Sequence, residues 1–244
     1  MAEAPAFEVV SVKPLGPKDH FGPQLGCTGD RFESARPLAE LLGWVFDVRP
    51  YEQLIGIPDW DPRIFISGTS PGIYRIDAVA SHPVTDAECK VMVQQLLTDR
   101  YKMIAHRELR ETPVYALVVA KSGPKMAKAD GQPGVHVLIN GNPPGIAPGT
   151  PEDLKYPTGW SMDRLADFLR GRVDRPVINR TGLDGLYKID LSFSRQGANP
   201  ANLPPEAGPE VMTALPEQLG LRLEATRAPI EMVVIDHIEK PDAN

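Results

Sequence analysis

The chain has 244 residues, with 26 prolines, 21 glycines, 26 basic side chains, 32 acidic ones and a hydrophobic fraction of 42%. That apolar fraction excludes wholesale disorder, and the net charge of −6 argues against a nucleic acid or an anionic membrane as partner. No run approaches the ~18 apolar residues that a membrane span needs.

Taken in chain order, Met1-Ala2-Glu3-Ala4-Pro5-Ala6 has neither the basic nor the apolar region of a signal peptide. Phe7-Glu8-Val9-Val10-Ser11-Val12 alternates as a strand. Helical spacing over 38–46 predicts a helix, followed by a short strand over 53–57 and another over 72–79. A helix is expected over 86–101, with Asp86 as N-cap and Val91, Met92, Leu96 and Leu97 on its buried face. Strands over 102–107 and 114–120 close this series.

A second series repeats that order. Ser161 caps a helix with Met162, Leu165, Phe168 and Leu169 as its buried stripe, and Pro176-Val177-Ile178 opens a strand. Gly185-Leu186-Tyr187-Lys188-Ile189-Asp190 matches Gly72-Ile73-Tyr74-Arg75-Ile76-Asp77 in Gly, Tyr, Ile and Asp at identical spacing. Val211-Met212 opens a helix that Pro216 would shorten, and strands over 221–224 and 230–235 follow. Val135-His136-Val137-Leu138-Ile139 is the expected counterpart of the N-terminal strand. The pattern implies an α+β fold of two similar units, each a small mixed sheet with two helices on one face. Their bounds are 1–120 and 135–241, with a linker over 121–134 and Pro/Gly-rich insertions at 142–159 and 196–208. The junction would form a groove.

Catalytic signatures are absent: there is no GxSxG, HExxH, GxGxxG or Walker loop. Period-two alternation puts His106 and Glu108 on one strand face, either as an oriented general base or as an exposed polar edge. Asp236-His237-Ile238-Glu239 offers a minimal His/carboxylate pair, which would need a third ligand from His20, His82 or His136 to hold a metal. Arg180-Thr181-Gly182-Leu183-Asp184-Gly185 could receive a carboxylate or phosphate, or Arg180 could pair with Asp184. Trp44 lies in a helical stripe and reads as core. Trp60, beside Asp59, and Trp160 lie in loops, either as packing residues or as platforms for a sugar or aromatic ligand; Tyr187 joins this ligand-binding set. Ser67, Ser70 and Ser161 occupy loops or caps, and nothing marks any as an activated nucleophile. Cys27 and Cys89 fit no zinc spacing; they are two buried thiols or, in an exported chain, a disulfide closing a loop of about 60 residues.

Phe7-Glu8-Val9-Val10-Ser11-Val12-Lys13-Pro14, Leu97-Thr98-Asp99-Arg100-Tyr101-Lys102, His106-Arg107-Glu108, Pro113-Val114-Tyr115-Ala116-Leu117-Val118-Val119, the run from Arg180 to Tyr187 and Val234-Ile235-Asp236-His237 together resemble a specific family. It is the soil-associated group abundant in Acidobacteria, a domain of unknown function also attached to beta-lactam-sensor-type membrane metallopeptidases. Each repeat more weakly resembles the short N-terminal domain of secretins and TonB-dependent receptors, a signalling and interaction module. The resemblance implies export behind a signal peptide, so that Met1 would mark a shortened chain. The segment from Asp59 through Arg63 to Ser70 is longer than the family pattern, and a ligand site there would be peculiar to this protein.

The expected function is an exported, periplasmic or secreted, non-catalytic module holding a small molecule, peptide or cell-envelope partner in the groove between repeats. The alternative is a small-substrate hydrolase using a His/carboxylate pair, with His106, Glu108, His237 and Asp236 as candidates. Assembly through exposed sheet edges such as 114–120 is a third expectation. No cofactor and no metal is implied.

Overall fold

The computed structural model describes residues 5–16, 25–62, 72–143, 157–194, 197, 204 and 208–242. The fold is α+β. By contacts it divides into one unit of Met1–Arg110 with Pro229–Asn244 and a second of Glu111–Ala228. Among the described residues no helix is long and apolar enough to cross a membrane.

In the first unit, strands β1 (Val9–Pro14), β2 (Cys27–Thr28), β3 (Arg31–Ser34) and β5 (Tyr74–Val79) form an antiparallel sheet in the order β1-β5-β3-β2. Alternation turns Phe32, Ile76 and Ala78 inward. They meet helix α1 (Leu38–Phe46), buried on most of its surface, and the stripe Cys89, Val93, Leu96, Leu97 and Tyr101 of helix α3 (Asp86–Tyr101). The ends of α1 and α3 fall where the sequence predicts them. The cap of α3 does not: Thr85, rather than Asp86, accepts from the Glu88 amide at 3.3 Å, and Glu88 returns a carboxylate oxygen to the Thr85 amide at 2.8 Å. A capping box needs an acid three residues on, which Glu88 supplies and Asp86 lacks. Val91 is 47% exposed and leaves the buried face to Val93. Cys27 and Cys89 are joined as a disulfide, Cα atoms 5.9 Å apart, which ties β2 to α3.

Between α1 and β5 lie the short helix α2 (Pro50–Gln53) and strand β4 (Leu54–Ile55), so the strand expected over 53–57 is shorter and preceded by a helical turn. Proline at the first helical position favours that turn, because its missing amide would have no intrahelical partner there.

Two strands pass from one unit to the other. β6 (Ile104–Val119) changes unit after Arg110, and β10 (Leu221–His237) after Ala228. Each was expected as two strands, split near Pro113 and Pro229. Proline's fixed φ lies within the extended range and removes a single donor, so it costs the ladder at most one bond without ending the strand. In the first unit β4 runs parallel to β10, Leu54 opposite Val233.

In the second unit β6 pairs in parallel with β8 (Val177–Asn179), Tyr115 opposite Val177, and has β10 on its other side. The stretch 114–120, expected as an open edge, is therefore largely internal. β7 (Val135–Ile139) pairs with β9 (Ile189–Phe193) in parallel, whereas β1 pairs with β5 antiparallel. Helix α4 (Met162–Leu169) is capped by Ser161, whose Oγ accepts from the Arg164 amide at 3.2 Å. Helix α5 (Val211–Ala214) gives way at Pro216 to a wider π-helical turn over Leu215–Leu219. Residues 121–134, read as linker, are hydrogen-bonded within this unit: the Lys125 amide donates to Leu219 O, Ala129 to Leu186 O, and Lys188 to Ala127 O. Leu117, Met162, Leu165, Leu169, Leu191, Phe193 and Leu215 fill the core.

Candidate functional site

A hollow in the first unit follows from how α1, α2 and β4 are held. The N-terminus of α1 has Pro37 as its cap residue, which offers no side-chain acceptor. Asp61 supplies both: Oδ1 accepts from the Leu38 amide at 2.7 Å and Oδ2 from the Ala39 amide at 3.0 Å. A buried carboxylate thus meets the positive end of the helix and two otherwise orphaned donors. At the far end of the segment Gln53 closes α2 by accepting from the Arg49 amide at 3.1 Å, and its Nε2 donates to Glu231 O on β10 at 2.9 Å. Gly56 continues the line at φ +81°, where an added Cβ would stand 2.3 Å from Ile235 O, so only glycine permits this approach.

These anchors leave a hollow of about 200 Å³ walled by Ala39, Pro50, Tyr51, Leu54, Gly56 and Ile57. Tyr51 is 59% exposed. Partial burial first, then the Glu40 and Asp61 carboxylates, push its phenol above the usual tyrosine range. The hollow falls below the ~300–1,000 Å³ of drug-sized sites and has room for a side chain or a small ligand.

A second feature of this unit joins residues from β6 and β10. His106 Nδ1 lies 2.7 Å from Asp236 Oδ2, and its Nε2 lies 3.9 Å from Glu108 Oε2; Glu108 also pairs with Arg110. The hydrogen bond to Asp236 raises the imidazole's pKa, with Glu108 adding to the rise. The cluster is half exposed. Arg107 pairs with Glu231 and donates to Phe46 O at 2.7 Å.

The other candidates separate. Asp59 is exposed; Trp60 is half-buried, edge-on to Tyr74 at 6.3 Å, and Tyr74 meets Tyr101 at 6.1 Å. The hollow beside them, between Arg36, Gly72 and Tyr101, is about 10 Å³, room for one water. Burial, together with Tyr74 and Asp61, holds the Tyr101 hydroxyl well above the usual range. Trp160 and Tyr187 are brought together by reciprocal backbone hydrogen bonds of 2.9 Å. Both are buried, Trp160 against Phe168 at 4.9 Å, so neither is an exposed platform. Arg180 is exposed at the end of β8, and among the described residues its guanidinium meets no carboxylate, Asp184 included. The loop after it is closed by Asn179 Oδ1, which accepts from Thr181 N and Oγ1. His237 pairs with Glu239 at 2.9 Å, His136 with Asp190 at 3.2 Å, and His82 contacts Pro83 O at 3.0 Å. Among the described residues no three His, Cys, Asp or Glu side chains gather as a metal site. His20, Ser67 and Ser70, with the 63–70 segment, lie outside the described residues.

Tyr51, the capping role of Asp61 and the His106–Asp236 pair carry no motif. Asp61 caps a helix 23 residues away, and His106 and Asp236 are 130 residues apart. The one local signal was Pro50 at a helix start beside an aromatic residue.

A family model described as "Protein of unknown function (DUF3738)" matches residues 39–238. No curated protein matches the chain, and no solved structure does.

Proposed function

Because the chain belongs to this family of proteins of unknown function, whose model spans most of its length, we propose a role from its own geometry: an exported binding module that takes its ligand at the Tyr51 hollow of the first unit. The observation that carries this reading is the hollow itself, about 200 Å³ with a fixed floor and one exposed aromatic wall. Its scaffold is rigid: Asp61 clamps α1, and Gln53 and Gly56 seat β4 against β10. Export is supported by the Cys27–Cys89 bridge, since such bonds persist in oxidising compartments. The test is ligand screening by thermal shift on the wild-type chain and on Tyr51→Ala, Trp60→Ala and Arg180→Ala. Hits lost in Tyr51→Ala alone support the hollow. Hits indifferent to Tyr51 but lost with Trp60 or Arg180 refute it.

A second reading, acid–base hydrolysis, is favoured by one observation, the 2.7 Å contact that orients His106 through Asp236. Turnover on an ester, phosphoester and glycoside panel, abolished by His106→Ala, would replace the binding reading.

A further inference from the structure

We infer that the Tyr51 hollow seats a basic side chain of an extended peptide, whose backbone pairs along the outer edge of β4. This rests on the ligand site proposed above and names its occupant. The hollow, about 200 Å³, has room for one long side chain. Beside it, β4 is the end strand of its sheet: Leu54 and Ile55 pair with Val233 and Val234 on one side, and among the described residues no strand lies on the other. Gln53 and Gly56 hold the two ends of this extended stretch against β10, so its outward backbone groups are preorganised to accept an added strand. Main-chain bonds of that kind supply affinity, and a pocket beside them supplies side-chain choice.

Charge selects the side chain. The first unit carries 19 acidic and 13 basic residues, against 13 and 13 in the second, so the whole net charge of −6 resides in the unit with the hollow. Three acids, Glu40, Glu52 and Asp61, belong to the segments that build it. Arg36 pairs with Glu40 at 3.3 Å, and Arg49 precedes α2. One carboxylate oxygen of Glu52 is buried, with no hydrogen-bond partner among the described residues. The Glu40 and Asp61 carboxylates oppose ionisation of the Tyr51 phenol, the sign of field that attracts a cation, and the ring offers a cation its π face.

Two acetylated, amidated hexapeptides of alternating Val and Thr, one with Lys at the third position and one with Glu there, are titrated against the full-length chain by NMR. The expected result is binding of the Lys peptide about tenfold tighter than the Glu peptide. Methylation of the peptide's alternate amides should abolish it. Tyr51→Phe should retain the affinity, and Tyr51→Ala, checked for fold by circular dichroism, should weaken it about fivefold. Equal binding of the two peptides, or binding indifferent to amide methylation, overturns the inference. Small-molecule fragments that shift Tyr51, Leu54 and Ile57 while neither peptide binds overturn it too, yet leave the ligand site standing. No perturbation of those residues by any ligand overturns both.

Discussion

In the first unit a disulfide joins β2 to α3, and 19 acidic side chains outnumber 13 basic ones; the second has no cysteine, and its 13 acids balance 13 bases. Their cores are nonetheless alike in size, each cluster holding 18 buried residues among those described. The bridge is therefore not a substitute for a small core. It fastens a two-residue edge strand, β2, that has little packing of its own, in a unit whose excess charge opposes compaction. Both units also lay cations over aromatic rings: Arg172 over Phe168 at 3.8 Å, Arg164 over Trp160 at 5.3 Å and Arg175 over Tyr115 at 5.3 Å in the second, Lys90 over Trp44 at 5.6 Å and Arg107 over Phe46 at 5.8 Å in the first. The tied, acidic unit also carries the hollow of about 200 Å³ at Tyr51.

Removing the tie tests that contrast most strongly. Replacing Cys27 and Cys89 together by alanine releases a closure across 62 residues and should cost the first unit about 4 kcal/mol in the chain-entropy model. Residue-resolved hydrogen exchange would place the loss in the first unit; an equal loss in both would break the comparison. Free-thiol titration of the denatured, unreduced chain should find none. In the second unit Leu165, fully buried within its cluster, should cost about 3 kcal/mol on truncation to alanine, measured by urea denaturation followed by circular dichroism. Asp61→Ala leaves the Leu38 and Ala39 amides buried without acceptors. It should cost the first unit about 2 kcal/mol, with faster exchange confined to the first turn of α1.

The smallest effect is at His106. Its pKa lies above the ordinary ~6.5 because Asp236 accepts its hydrogen bond. A raised value means that the stabilisation is fully present at low pH and fades as pH climbs through the folded-state pKa. An imidazole titration by NMR should show the elevation, and Asp236→Asn should lower it.

The extents of helices α1 and α3 were legible because three- and four-residue spacing of apolar side chains is a local signal, although the Thr85 cap and the exposure of Val91 were missed. Strand continuity was not: the residues between 107 and 114 and between 224 and 230 carry no clear alternation, while the ladder runs through them, Pro113 and Pro229 included. Alternation also carries no direction, so Val135–Ile139 was recognisable as a strand but not as parallel to β9. The candidate site was least legible. Trp60 and Trp160 stood out by type, yet one borders a hollow of single-water size and the other is core. Tyr51 became notable only once Ala39, Leu54 and Ile57 closed around it, and that closure depends on a carboxylate 23 residues from the helix it caps.

The most direct test of the Tyr51 assignment is chemical-shift mapping of the isotope-labelled chain during titration with the lysine hexapeptide. The expected perturbations centre on Tyr51, Leu54, Gly56 and Ile57 and saturate with a single affinity. Perturbations centred instead on His106 and Asp236, or on Arg180, with the Tyr51 hollow silent, would contradict it.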